Sequence, residues 1–548
     1  MAIGANQGWG ETERRILAEV SAAVDTLNFG HAYQVATDAL NRGMRHPALF
    51  NARGLTLHAA GRLPEAIEEF RRALAYSPND ATIHNAIGVC QMSLEHIPEA
   101  LSSFDAALSI NPNHALTHYR KGLAFSMQGD HDLAQACYER AIELDPNYAE
   151  ALGSLASVFA RKREGEKARM LAERALQLRP NEPTSVYALA IVDITEKRFE
   201  QAEQRLRTLL SEGRLATHAR AALLGQLGDA LDGQERYAEA FAVYTQENED
   251  LRKRHADQIA KGRAAEAAQH LIAYFETTSP EKWKSVDDVG PYPAGPAEHV
   301  FLLGFMRSGT TLLEQVLTSN PRIVALEEKG LLNPPSETYL TSIEGLDSLA
   351  ALSGPALARE REKYWARVGS NRVDIKDKIF VDKQPLNTVK LPLISKLFPK
   401  AKVLLALRDP RDVVFSCFRR HFRTSTTMYE FLTLEDAASF YASVMRLAEL
   451  CRQKLPLNVF EHRYEDMVQD FDGRVHALCD FIGAEWAETM REFDKHAPYV
   501  DLRSPSATQV RRPLYSEGVG QWHRYAKELA PILPILQPWV EKYGYPQG

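Results

Sequence analysis

Pro78, Pro112, Pro146 and Pro180 stand 34 residues apart, in the runs YSPND, INPNH, LDPNY and LRPNE. This step of 34 residues constrains the chain more than any single motif does. One such unit holds two antiparallel helices and a turn, yet it cannot bury its own apolar face, so units must stack. Alanines keep the step at Ala66, Ala100, Ala134, Ala168 and Ala202 and again at Ala73, Ala107, Ala141 and Ala175, and glycines keep it at Gly54, Gly88 and Gly122. Small residues there let one helix approach the next, an aromatic such as Phe70 fills the gap beyond, and the proline ends the second helix. Gly228, Ala240 and Tyr244 resume the spacing after a slip of four residues, and Ala32, Ala36 and Ala39 extend it upstream. The expectation is an all-α array of six or seven repeats over residues 12–250.

These residues resemble the tetratricopeptide repeat family. The resemblance implies a right-handed superhelix whose concave groove takes a protein or peptide partner. Asn51 and Asn85 hold equivalent positions on the first helices, and a carboxamide that both donates and accepts suits a peptide backbone. Ordinary packing is the plainer reading, because Tyr119 and Gly153 occupy the next two places of that ladder.

From Leu251 the step is lost. A charged, alanine-rich run, RKRHADQIAKGRAAEAAQH, is expected to be a solvated helical face. It leads into SPEKWKSVDDVGPYPAGPAEH, whose prolines and glycines cannot continue a helix, so residues 251–295 read as a linker. Over residues 296–548 the apolar runs HVFLLG, RIVAL, KVLLALR and VFEHRYEDM alternate with helical patterns. That alternation predicts an α/β domain with a parallel sheet and ligands at the carboxyl ends of its strands.

The first of these strands runs into GFMRSGTTLL, which has the glycine spacing of a nucleotide phosphate loop but Thr310-Thr311 where that loop has Lys-Ser or Lys-Thr. Backbone N–H groups from Gly304 to Thr311, with Ser308, Thr310 and Thr311 at a helix N-terminus, make an anion site whose charge comes from Arg307. The missing lysine argues against an NTPase. An ordinary tight turn is the bland alternative. In LLALRDPRDVVFS, Arg408 ends a strand and Ser416 follows eight residues later, and a planar guanidinium beside a hydroxyl suits a second phosphate. Arg-Asp pairs at strand ends are also common structural ion pairs.

The segments GFMRSGTTLLEQVLTSNPRIVALEE, DKQPLNTVKLPLISKLFPKAKVLLALRDPRDVVFS, HRYEDM and QVRRPLYSEGVGQWHRY, in that order, resemble the sulfotransferase family and, within it, the tyrosylprotein sulfotransferases. The resemblance implies a P-loop-like fold, 3′-phosphoadenylyl sulfate as donor, 3′-phosphoadenosine 5′-phosphate as product, and no metal. By that resemblance Arg307, Ser308, Gly309, Thr310 and Thr311 cradle the 5′-phosphosulfate, and Arg408, Ser416 and Arg420 hold the 3′-phosphate. Tyr464, with the run that contains Ser506, Gln509, Arg511, Arg512 and Tyr515, completes the nucleotide pocket. Glu328 falls where the family keeps its catalytic base, Lys383 where a lysine neutralises charge on the bridging oxygen, and Ser506 where a serine assists it. The sequence also departs from the family. Lys329 is followed by Gly330, Leu331 and Leu332 where the family has an arginine that reads acidic acceptors, and Gln521 replaces a lysine before Trp522. His421 is the alternative base, a helix-surface histidine being its plainer reading.

The expected activity is transfer of a sulfuryl group to an acceptor hydroxyl, with the repeat array recruiting the acceptor or a partner. Protein tyrosine is the first acceptor; a saccharide, a lipid or a small phenol are the alternatives. Two rivals from other classes are an inactive transferase half that serves as a scaffold, and a phosphate-loop kinase. The net charge of −7 gives no bulk attraction to nucleic acid, and five scattered cysteines without C-x-x-C spacing speak against a disulfide framework or a zinc site. With no signal-like N-terminus and no long apolar run for a membrane span, the expected place is the cytoplasm.

Overall fold

The computed structural model describes residues 10–212, 215–284, 295–420, 422, 425–496 and 518–547. Two compact units divide at Val192 and Asp193. The first holds α1 (Glu11–Asp25), α2 (Phe29–Asn41), α3 (Pro47–Ala59), α4 (Leu63–Tyr76), α5 (Ala81–Ser93), α6 (Ile97–Ile110), α7 (Ala115–Gln128), α8 (His131–Leu144), α9 (Ala149–Arg161) and α10 (Gly165–Leu178). The glycine ladder has a direct steric cause here. The rings of Phe70, Phe104 and Tyr138 lie against Gly54, Gly88 and Gly122, where a Cβ would stand 2.5, 2.6 and 2.6 Å from ring atoms. Ala66, Ala100, Ala134 and Ala168 are fully buried between helices. Asn85 is buried and accepts a hydrogen bond from Thr117 Oγ1 at 3.3 Å, so its carboxamide joins one repeat to the next.

α11 (Pro183–Thr195) crosses the division, and the second unit continues with α12 (Phe199–Ser211), α13 (Thr217–Gly233) and α14 (Tyr237–Arg254). Tyr244 closes on Gly228 as the earlier aromatics do on theirs. α15 (Ala264–Thr277) lies in the stretch expected as a solvated face and linker, yet it buries Ala268, Leu271 and Phe275. Its N-terminal Arg263 is held 2.7 Å from Glu430 and 3.0 Å from Asp436. The Pro/Gly-rich part of that stretch, residues 285–294, lies outside the described residues.

Five strands, β1 (Glu298–Gly304), β2 (Ile323–Glu327), β3 (Ile379–Lys383), β4 (Lys402–Leu407) and β5 (Asn458–Arg463), form one parallel sheet in the order β2-β3-β1-β4-β5. Val300 of central β1 faces Val381 on one side and Lys402 on the other. Four of these strands match the apolar runs, whereas β3 does not stand out, because IFVDK ends on two charged residues that are buried nonetheless. α16 (Thr310–Thr318) and α19 (Phe471–Ile482) bring Leu313, Val316, Val475 and Leu478 onto Val300, Leu302 and Leu404. Between them in sequence lie α17 (Pro410–Phe418) and α18 (Leu434–Lys454). Because all strands are parallel, Gly304, Glu327, Lys383, Leu407 and Arg463 end at one edge of the sheet, where a parallel sheet places its ligands.

Candidate active site

The loop from Phe305 to Gly309 joins β1 to α16. Gly309 takes φ +90° at the start of α16, and a Cβ there would stand 2.9 Å from Tyr464 Cδ2, so conformation and space both demand glycine. Ser308, Thr310 and Thr311 are buried at the N-terminal end of the helix. Arg307 also sits in the left-handed region, at φ +68°, and its Nε donates to Ser416 Oγ at 3.0 Å. The guanidinium expected in the first anion site therefore reaches the second one.

Arg408 leaves the end of β4 with Nη1 donating to Arg307 O at 3.0 Å and Nη2 to Gly518 O, while its guanidinium lies 5.2 Å from the Tyr464 ring centre. Its Nε is buried with no hydrogen-bond partner among the described residues. Arg419 and Arg420 follow directly from α17. Burial, then the charges of Arg420 and Arg408, push the Arg307 guanidinium down to about 9. Gathering like charges away from water is favourable only with counter-anions. Two are supplied from α13: Asp229 Oδ2 accepts from Arg420 Nη1 at 2.6 Å, and Asp232 Oδ2 lies 3.7 Å from Arg419 Nη1. Gln521 Oε1 accepts from Arg419 Nη2 at 2.7 Å, so the residue standing where a lysine is expected orients an arginine instead.

Buried acids brace this cluster. Asp412 accepts from the N–H groups of Gly520 and Trp522 at 2.7 and 2.8 Å, which pins residues 518–522 beside Arg408. Arg411 pairs with Asp409 at 2.7 Å and lies 3.9 Å from the Trp522 ring centre, so the second arginine of RDPRD is structural. Glu465 Oε1 accepts from Asp409 N at 2.9 Å and ties the HRYED segment to the same strand end.

A second cluster forms where β2 and β3 end. Lys383 is fully buried, with Nζ 2.7 Å from Glu327, 3.2 Å from Glu328, 3.2 Å from Glu314 and 3.5 Å from Thr311 Oγ1. Burial opposes its charge, but Glu314, Glu328 and Glu327 hold the ammonium well above its ordinary range. Burial pushes the Glu314 carboxyl up to about 7; Lys383 pulls it down and Glu327 adds repulsion. Glu328 has φ +49°, its N–H donates to Lys383 O at 2.8 Å, and its side chain is 43% exposed. Arg307 and Glu328 thus share a backbone conformation that non-glycine residues adopt at a cost.

The structure brings Arg307, Arg408 and Ser416 together, with Tyr464 against Gly309 and Arg408, and Arg420 turned to Asp229. It sets Lys383 and Glu328 together near Thr311. Ser506, Gln509, Arg511, Arg512, Tyr515 and His421 lie outside the described residues. Sequence reasoning missed Glu314, Glu327, Arg419, Asp412 and Glu465. The only signal for Glu314 is a charged residue inside the apolar run TTLLEQVL.

The pattern of the family described as "Sulfotransferase family" matches residues 299–488, which hold both clusters. This chain carries a sulfotransferase domain. Ahead of the sulfotransferase domain, patterns described as "TPR repeat" and "Tetratricopeptide repeat" match residues 54–95 and 115–148. An uncharacterized protein of Aquifex aeolicus (strain VF5) is 26% identical over 364 residues, 64% of this chain and 46% of its own length. The chain therefore spans less than half of that relative. Protein-tyrosine sulfotransferase A of Caenorhabditis elegans is 20% identical over 294 residues, 52% of this chain and 75% of its own. Protein-tyrosine sulfotransferase 2 of Gallus gallus is 22% identical over 274 residues, 45% of this chain and 72% of its own. Among the described residues, no helix is long and apolar enough to cross a membrane.

Proposed function

We propose that the sulfotransferase domain moves the sulfuryl group of 3′-phosphoadenylyl sulfate to an acceptor hydroxyl, with protein tyrosine the first candidate, while the repeat array recruits the acceptor or a partner. The observation that carries this reading is Arg408, whose buried Nε lacks a partner among the described residues, beside the Arg307–Ser416 pair. Phosphate oxygens satisfy such donors through charge-assisted hydrogen bonds. The N-terminal end of α16, with Ser308, Thr310 and Thr311, offers a second anion place toward Lys383. The residues thus fit a ligand with two separated phosphates, and they explain why the loop does without its lysine.

When bound, the donor supplies an activated sulfuryl group and a bisphosphate leaving group. Glu328, half-exposed at the sheet edge, accepts the proton of the acceptor hydroxyl; a phenol of ordinary pKa about 10 needs such a base at neutral pH. Lys383, kept charged by its carboxylates, neutralises the oxygen that departs from sulfur. Five cysteines without a disulfide framework suit a reducing compartment, and we place the reaction in the cytoplasm.

Calorimetry with 3′-phosphoadenosine 5′-phosphate and with magnesium ATP tests the reading: the bisphosphate should bind and ATP should not. Tight ATP binding favours a kinase, and binding of neither favours a scaffold. Labelled donor incubated with a lysate should mark protein; label on polysaccharide and none on protein refutes the tyrosine assignment.

A further inference from the structure

Asp229 and Asp232 lie three residues apart on α13, so they share one helix face, and that face meets the strand-end arginines. Asp229 Oδ2 accepts from Arg420 Nη1 at 2.6 Å while its Oδ1 accepts from Tyr244 OH at 2.9 Å. Asp232 accepts from Tyr525 OH and lies 3.7 Å from Arg419 Nη1. The same helical hairpin is fixed by packing. Phe241 stacks on Phe418 with ring centres 5.4 Å apart, and Asn248 Nδ2 donates to Phe418 O at 2.8 Å. Phe418 is the last residue of α17, the helix that carries Ser416, and Arg419 and Arg420 come next. Among the described residues, both arginines keep a buried Nε with no hydrogen-bond partner, as Arg408 does.

A guanidinium has five donors in one plane, so a carboxylate on one edge fixes where the others point. We infer that Asp229 and Asp232 are positioning residues for the donor nucleotide, gripping one edge of Arg420 and Arg419 so that the remaining donors are set for the phosphate beside Ser416. They also compensate the arginine cluster before any anion arrives. The last repeat hairpin is then part of the nucleotide site, beyond any role in recruiting partners. This inference rests on the reading of the Arg408–Ser416 place as a phosphate site.

The test is a double-mutant cycle on the full chain, read by calorimetric affinity for 3′-phosphoadenosine 5′-phosphate, with thermal melting as the check on folding. Asp229→Asn should weaken binding about tenfold, raise the donor KM and leave kcat unchanged, and Asp229→Glu should restore part of the affinity. Combined with Arg420→Gln, Asp229→Asn should add nothing, because its effect runs through that guanidinium. Asp232→Asn with Arg419→Gln repeats the cycle if Asp229→Asn fails to fold. Unchanged affinity in the folded aspartate variants, or effects that add in full to those of the arginine variants, overturns the inference. If the unmutated chain binds no bisphosphate, or Arg408→Ala binds it unchanged, the phosphate reading itself falls and takes the inference with it.

Discussion

Glu314 Oε2 lies 3.2 Å from Lys383 Nζ, so the helix after the loop places a buried carboxylate behind the lysine proposed to act on the leaving oxygen. Burial raises that carboxyl from 4.5 to about 7. Between those values the folded chain keeps a proton that the unfolded chain releases, and this contribution to stability is lost as pH rises through the window. Glu314→Gln removes the titration. In denaturant titrations across that window, the stability difference should move in the variant's favour up to about pH 7 and then level off. A difference that stays flat would deny Glu314 its raised pKa.

Glu328→Gln keeps the shape and loses the proposed base. The bisphosphate should bind as before, while turnover falls by about 10²–10⁴, the usual worth of general base catalysis. Single-turnover transfer alongside calorimetry separates the two. Normal turnover would send the search for a base to His421.

Arg408→Ala removes the donors to Arg307 O and Gly518 O and any to a bound anion. A hydrogen bond involving a charged group contributes about 1.5–3 kcal/mol. Bisphosphate affinity should therefore drop by at least tenfold, and calorimetry gives the value directly.

His462 is buried on β5, and neither ring nitrogen has a hydrogen-bond partner among the described residues. Burial, with Arg474 nearby, pushes its imidazole from 6.5 down to about 3. The unfolded chain takes up a proton below 6.5 that the folded chain refuses until about 3, so stability is lost as pH falls through that range. His462→Leu should flatten this acid limb in pH-dependent unfolding and leave neutral-pH stability close to that of the unmutated chain.

The repeats were legible because one contact, an aromatic ring on a glycine, recurs at a fixed step and leaves its imprint on Gly54 and Phe70, then on Gly88 and Phe104. The loop and Arg408 stood out in the sequence because an anion site of the kind expected there needs particular residues in short runs. β3 was hidden because Asp382 and Lys383 break its apolar pattern, although Tyr364 satisfies Asp382 at 2.9 Å and three glutamates satisfy Lys383. Arg420 was read from its neighbours in sequence, but its nearest carboxylate, Asp229, lies 191 residues away. No local pattern announces a pairing across that separation.

Phe418 and Tyr525 rest on Phe241 and Tyr237 of the last repeat hairpin. A fragment begun at residue 296, where the α/β sequence pattern starts, would bare those rings and strip two arginines of their acids, so the smallest piece worth expressing begins ahead of α13. A change in either set of rings, or in Asp229, must therefore be matched across the contact, which ties this final helical pair to the α/β part.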